Sequence, residues 1–223
     1  MSAARLSAPN TVSPLVSSRA TNSRVTAAVE RALDDRQREA TQEVERILAA
    51  AVRVMERVAP EPPRVSDIVA EAGSSNKAFY RYFAGKDDVI LAVMERGVAI
   101  VVSYLQHQMA KEPTAAGQVQ RWIEGALAQV ADPHLISMSR AAAGQVSATA
   151  DWRAADDEIL RPMRDLLTEP IAALGGKDVR RDTDAVFRCA TTSMRRYLDS
   201  AQRPDPDDVD HLVRFCLRGL GVS

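Results

Sequence analysis

Residues 75–86 of this 223-residue chain gather the side chains best suited to bind a polyanion. Ser75, Asn76 and Lys77 are consecutive. An asparagine offers a donor and an acceptor that together match the N6/N7 edge of adenine, and a lysine reaches guanine O6/N7 or a phosphate. Tyr80 and Tyr82 carry hydroxyls that can donate to phosphate oxygens while their rings lie along a sugar backbone. Lys77, Arg81 and Lys86 stand in residues 74–86 with no acid among them, in a chain whose net charge is −1. Aromatic residues are only 4% of the chain, yet Phe79, Tyr80, Tyr82 and Phe83 fall within five positions. Phe79 and Phe83 are four apart, so they share a helix face and point inward, with the tyrosines directed elsewhere.

Other chemistry has little support. His107, His134 and His211 are isolated. Cys189 and Cys216 stand 27 positions apart and match no metal-ligand spacing, so both read as small, reduced core residues. Asp156-Asp157-Glu158 reads as an acid run on a helix surface, and no Gly-rich phosphate loop or nucleophile motif occurs. No catalytic residue, metal site or cofactor is expected, and the chain does not read as an enzyme.

The elements that must position residues 75–86 are helical. Val44, Ile47, Leu48, Ala51, Met55 and Val58 form an i, i+3, i+4, i+7 stripe, which Pro60, Pro62 and Pro63 end. A short helix is expected over 65–72 with Ser66 as its cap, Gly73 as the turn, and a second short helix from Asn76 to Phe83 capped by Ser75. Two short helices joined at a glycine have the form of a helix-turn-helix, in which the first braces the second across a major groove. Gly85 ends the second helix. A long helix then starts near Asp87, where Asp87 and Asp88 suit the positive end of its dipole, with a stripe through Ile90, Val93, Met94, Gly97, Val101, Tyr104 and Leu105.

Beyond residue 113 no strand-like alternation appears. Thr114 is placed to cap a helix whose face carries Val119, Trp122, Ile123, Ala126, Leu127 and Val130. Asp132-Pro133 opens another, and Pro162 and Pro170 break the segment 152–174. Val186, Phe187, Ala190, Met194, Tyr197 and Leu198 share one face. The last helix, opened by Asp205-Pro206, carries Val209, Leu212, Val213, Cys216, Leu217 and Leu220.

Composition narrows the class. The chain is 46% hydrophobic and 26% charged, which excludes collagen-like, disulfide-scaffold and fully disordered proteins. Apolar runs such as Val98–Val102 are far short of the roughly 18 residues of a membrane span. The first 24 residues lack a continuous apolar segment, so no signal peptide is expected and the location is read as cytoplasmic. Residues 1–25 read as a disordered arm with Arg5, Arg19 and Arg24 and no acid before Glu30, either a solvated tail or an arm that touches DNA.

The run Val65-Ser-Asp-Ile-Val-Ala-Glu-Ala-Gly73, followed by Ser75-Asn-Lys-Ala-Phe-Tyr-Arg-Tyr-Phe83 and Lys86-Asp-Asp-Val-Ile90, resembles the DNA-binding domain of TetR-family transcriptional regulators. The resemblance implies an all-α protein: an N-terminal three-helix helix-turn-helix domain over 26–95, with a helical extension, and a larger helical effector-binding and dimerisation domain over 96–223. It implies a ligand-responsive repressor that binds a palindromic double-stranded DNA operator as a homodimer. Ser75, Asn76, Lys77 and Ala78 fall where the family reads bases, and Tyr80, Tyr82 and Lys86 where it grips phosphates; Arg81 lies among them. A small apolar or amphipathic effector would sit against Trp122, Met138, Trp152, Met163, Phe187 and Met194, which otherwise form a filled core. Two further readings stay open, a helical interaction protein and a small-molecule enzyme, each with a merely structural helix-turn-helix.

Overall fold

The computed structural model describes residues 19–59, 61–130, 151–200 and 202–222; the side chains of 19–23, 151–156 and 199 lie outside that description. The described residues form nine helices and no strand: α1 Arg19–Val58, α2 Val65–Glu71, α3 Asn76–Tyr82, α4 Lys86–Met109, α5 Ala115–Ala128, α6 Asp151–Asp165, α7 Thr168–Ala173, α8 Val179–Asp199 and α9 Pro206–Gly219. The all-α class is as the sequence implies. Residues 1–45 and 46–223 are two compact units.

In the first unit α1 is already helical from Arg19, so the stretch 19–25 departs from the expected arm. No Pro or Gly occurs between Pro14 and Pro60 to interrupt it. Local side-chain bonds support the helix, among them Arg38 to Asp35 at 2.5 Å and the Thr41 hydroxyl donating to the Gln37 carbonyl at 2.9 Å. Residues 1–18, with Arg5, lie outside the described residues.

In the second unit, Ile47, Ala51, Val54 and Met55 of α1 are buried, as are Ile68 and Val69 of α2, Phe79 of α3, and Val89, Ile90 and Val93 of α4. Helix α2 starts at Val65 rather than being capped by Ser66. Arg64 is its N-cap, extended and without a side-chain cap bond, and the Arg64 carbonyl accepts from Asp67 and Ile68. The chain through Pro62-Pro63 is not helical, and the helix opens directly after the extended Arg64, which leaves Ser66 inside the first turn. Gly73, at φ +59, takes the left-handed conformation that ends α2 and turns the chain toward α3.

The expected domain boundary at 95/96 falls inside α4. That helix is continuous, with Gly97 its one glycine and no proline to break it. Its first turns bury Val89 and Ile90, and its last turns deliver Leu105 and Met109 to the core of the larger helical part. There α5 is central and packs against α4, α7, α8 and α9. Its expected face is buried in full, from Val119 to Val130. Tyr104, placed on the α4 stripe, is instead exposed.

The Thr114 hydroxyl accepts the Gly117 amide at 3.1 Å, and Asp205 accepts the Asp207 amide at 2.9 Å, so both expected caps form. The break between Pro162 and Pro170 falls after Asp165. The helix start at Asp132-Pro133 lies outside the described residues.

Candidate nucleic-acid interface

Helix α3 is seven residues long, too short to persist alone, and its neighbours hold it. The Ser75 Oγ accepts the Ala78 amide at 3.1 Å, which satisfies one of the unpaired N–H groups of the first turn. That bond uses a lone pair of the hydroxyl and leaves its O–H free to donate outward. Phe79 is fully buried and Phe83 nearly so, with ring centroids 5.5 Å apart. The inward assignment of both phenylalanines holds.

The opposite face is open. Ser75, Asn76 and Lys77 are exposed, as is Arg81, and Tyr80 is 58% exposed with its ring edge-on to Phe79 at 5.3 Å. Tyr82 is half-buried under the Arg81 guanidinium, 5.7 Å from the ring centroid. Ala78 differs from the expected set: its methyl is buried, because it shares the inward side with Phe79, and it offers a base no surface. Lys86 is exposed in the first turn of α4. The turn before it is fixed by Asp88, whose Oδ2 accepts the Ala84 amide at 2.8 Å.

Two positioning residues went unnoticed in the sequence. In the sequence Asp88 suggests a dipole partner, yet an acid four residues beyond an unpaired amide can also reach back to accept it. Glu71 joins α2 to α1, accepting from Arg53 Nε at 2.8 Å and Arg57 Nη1 at 3.0 Å. The Arg53 hydrogen bond, followed by that of Arg57, holds the Glu71 carboxyl below the usual carboxylate range. Arginines one helical turn apart at 53 and 57 facing an acid at the end of α2 are the signal that could have found it.

Residues 47–93, from Ile47 of α1 to Val93 of α4, match the family model of bacterial regulatory proteins, tetR family. The match covers the helix-turn-helix region alone, 47 of the chain's 223 residues. Its helix-turn-helix is that of a DNA-binding regulator of transcription. The FadR regulator of Bacillus subtilis, solved with stearoyl-CoA, superposes at a TM-score of 0.63 and 20% identity, over 79% of this chain and 96% of its own. FadR of Bacillus halodurans, a fatty acid degradation regulator, gives 0.62 and 19% over the same shares. E. coli NemR in its reduced form gives 0.60 and 15%, also over 79% and 96%. At these identities the likeness is one of fold. A search of curated proteins finds no significant match.

The proposed effector residues are distributed unevenly. Trp122 is fully buried, donates from Nε1 to the Met163 carbonyl at 3.0 Å, and lies 6.0 Å from the Phe187 ring. Met163 and Phe187 are buried in the same core, and Met194 packs half-buried at its edge. These four are brought together as packed core. Met138 lies outside the described residues, as does the side chain of Trp152.

Among the described residues no helix is long and apolar enough to cross a membrane, and no group of three or more His, Cys, Asp or Glu is placed to hold a metal ion.

Proposed function

We propose that the chain is a ligand-responsive repressor that binds a palindromic operator as a homodimer. The carrying observation is the division of α3 into a buried Phe79/Phe83 anchor and an exposed Ser75-Asn76-Lys77 turn continuing to Tyr80. Ser75, Asn76 and Lys77 read base edges, and Tyr80, Arg81, Tyr82 and Lys86 hold phosphates. Two copies present α3 to successive major grooves about 34–36 Å apart. The dimer forms through α8 and α9. Its support is the outer face of α9, where Phe215 is 61% exposed beside Arg214 and Arg218. Exposed aromatics and arginines of this kind are enriched at interfaces.

The effector is apolar or amphipathic and enters by parting the packed core around Trp122, Met163 and Phe187. It favours a state in which the two DNA-binding domains are spaced wrongly for the operator. The stearoyl-CoA held by the B. subtilis neighbour is a molecule of that class.

The test is an electrophoretic shift against the DNA upstream of the chain's own gene, repeated over a range of salt. Retarded complex is expected, with Lys86→Ala weakening it similarly on all sequences and reducing the salt slope by roughly 1 per copy. A chain that retards no DNA, or a Lys86→Ala variant with unchanged affinity and slope, contradicts the proposal.

A further inference from the structure

Two hydroxyls of α8 bond to their own helix and a third does not. Thr191 Oγ1 donates to the Phe187 carbonyl at 2.9 Å and Ser193 Oγ to the Cys189 carbonyl at 3.0 Å, each four residues back. Thr183 stands four residues after Val179 in the same helix. Among the described residues, however, its hydroxyl has no hydrogen-bond partner, and the residue is only 4% exposed. Leaving a buried polar group in this state costs free energy, and native folds keep few of them.

Its position connects it to the core around Trp122. Thr183 and Phe187 are four apart and share the buried face of α8 with Val186 and Ala190. Such a pair has a Cβ spacing of about 5–6 Å. The Phe187 ring lies 6.0 Å from that of Trp122, whose Nε1 is already engaged by the Met163 carbonyl at 3.0 Å. The residue after Thr183, Asp184, meets Arg164 of α6 at 3.6 Å, next to Met163. One unsatisfied hydroxyl thus stands beside the apolar side chains assigned to the effector.

We propose that the Thr183 hydroxyl is the hydrogen-bonding contact for the effector, and that the part of the effector lodged there is apolar with one uncharged carbonyl oxygen. This rests on the effector site proposed above and names the chemistry it selects. A carbonyl oxygen is satisfied by the single O–H that Thr183 can donate. A ligand hydroxyl would bring a donor and an acceptor, and one of them would stay unpaired. A carboxylate would need a counter-charge in an apolar core, and Arg164 is already paired with Asp165 and Asp184, at 3.6 Å each. The fitting class is therefore a ketone, ester, thioester or lactone carried on an apolar body.

The experiment is equilibrium dialysis of the full-length wild type, Thr183→Val and Thr183→Ser against three probes with the same number of carbons: pentylbenzene, valerophenone and phenylvalerate. Thr183→Val keeps the side chain's shape and removes its bonding; Thr183→Ser keeps the hydroxyl. The valerophenone-to-pentylbenzene affinity ratio should fall about tenfold in Thr183→Val and recover in Thr183→Ser. Phenylvalerate should bind the wild type more weakly than valerophenone. An unchanged ratio in Thr183→Val, tighter binding of phenylvalerate than of valerophenone, or a wild type that binds none of the three would overturn the proposal. Electrophoretic shifts on the same preparations separate the two readings. A wild type that retards its upstream DNA while its ratio ignores Thr183 removes this inference alone, whereas a Thr183-dependent ratio in a chain that retards no DNA removes the repressor reading and leaves the carbonyl site standing.

Discussion

Phe79 and Tyr80 are adjacent, both aromatic and in ring contact, yet they are assigned opposite work. Replacing each by alanine separates the two roles. Phe79 is fully buried, so Phe79→Ala removes a complete aromatic side chain and leaves a cavity, a loss of about 3–5 kcal/mol. For a chain of this length that corresponds to roughly 6–20 °C in melting temperature. Tyr80 is 58% exposed and contributes its edge contact with Phe79 at 5.3 Å. Tyr80→Ala should cost about 1 kcal/mol, the scale of one aromatic pair with little further burial. For DNA affinity the ranking of direct effects reverses. A hydrogen bond from Tyr80 to a charged phosphate, worth about 1.5 kcal/mol, is about a tenfold change in dissociation constant. Circular dichroism melts and fluorescence-anisotropy titrations on the same preparations, below the lower melting transition, read both quantities. Equal destabilisation by the two variants would refute the division of α3 into an anchor and a grip. So would a Tyr80→Ala protein that binds DNA like the wild type.

Three further outcomes follow from other parts of the fold. Glu71 titrates below its unfolded value, so its brace stabilises the protein above the unfolded carboxylate range near pH ~4.3 and loses that contribution as pH falls through the lowered folded value; Glu71→Gln should therefore lower the urea midpoint at pH 7 by an amount that shrinks as the pH is taken down through the acid range, and equal midpoints at pH 7 would show that the brace contributes nothing. Thr183 has a buried hydroxyl without a hydrogen-bond partner, so Thr183→Val should leave the urea midpoint unchanged or raise stability by up to about 1 kcal/mol, whereas a loss of 2 kcal/mol or so would mean that the hydroxyl has a partner. A methyl group at Gly125 would stand 2.6 Å from Leu105 Cδ2; Gly125→Ala should cost about 1–3 kcal/mol by overpacking α5 against α4, and a stabilised variant in thermal melts would show that this crossing has room.

The sequence was most legible where one residue type does one local job. Ser75, Thr114 and Asp205 accept the amides expected of them, Gly73 takes positive φ, and the Phe79/Phe83 spacing places both rings inside. Ser66 misled because the cap stands two residues earlier, at the extended Arg64, which leaves Ser66 in the first turn of α2. Ala78 misled because a family position, unlike an exposure, does not report which way a methyl points. The 95/96 boundary had no signal to find: α4 runs through it and contributes side chains to both ends.

The most direct test of the central claim is a competition anisotropy titration, with the upstream DNA labelled and a scrambled duplex as competitor, run on the wild type and on the Asn76→Ala/Lys77→Ala double variant. The wild type should prefer its own sequence by at least about a thousandfold. The double variant should lose most of that preference while keeping much of its non-specific, salt-sensitive affinity. A wild type that binds both duplexes equally, or a double variant that retains the full preference, would contradict it.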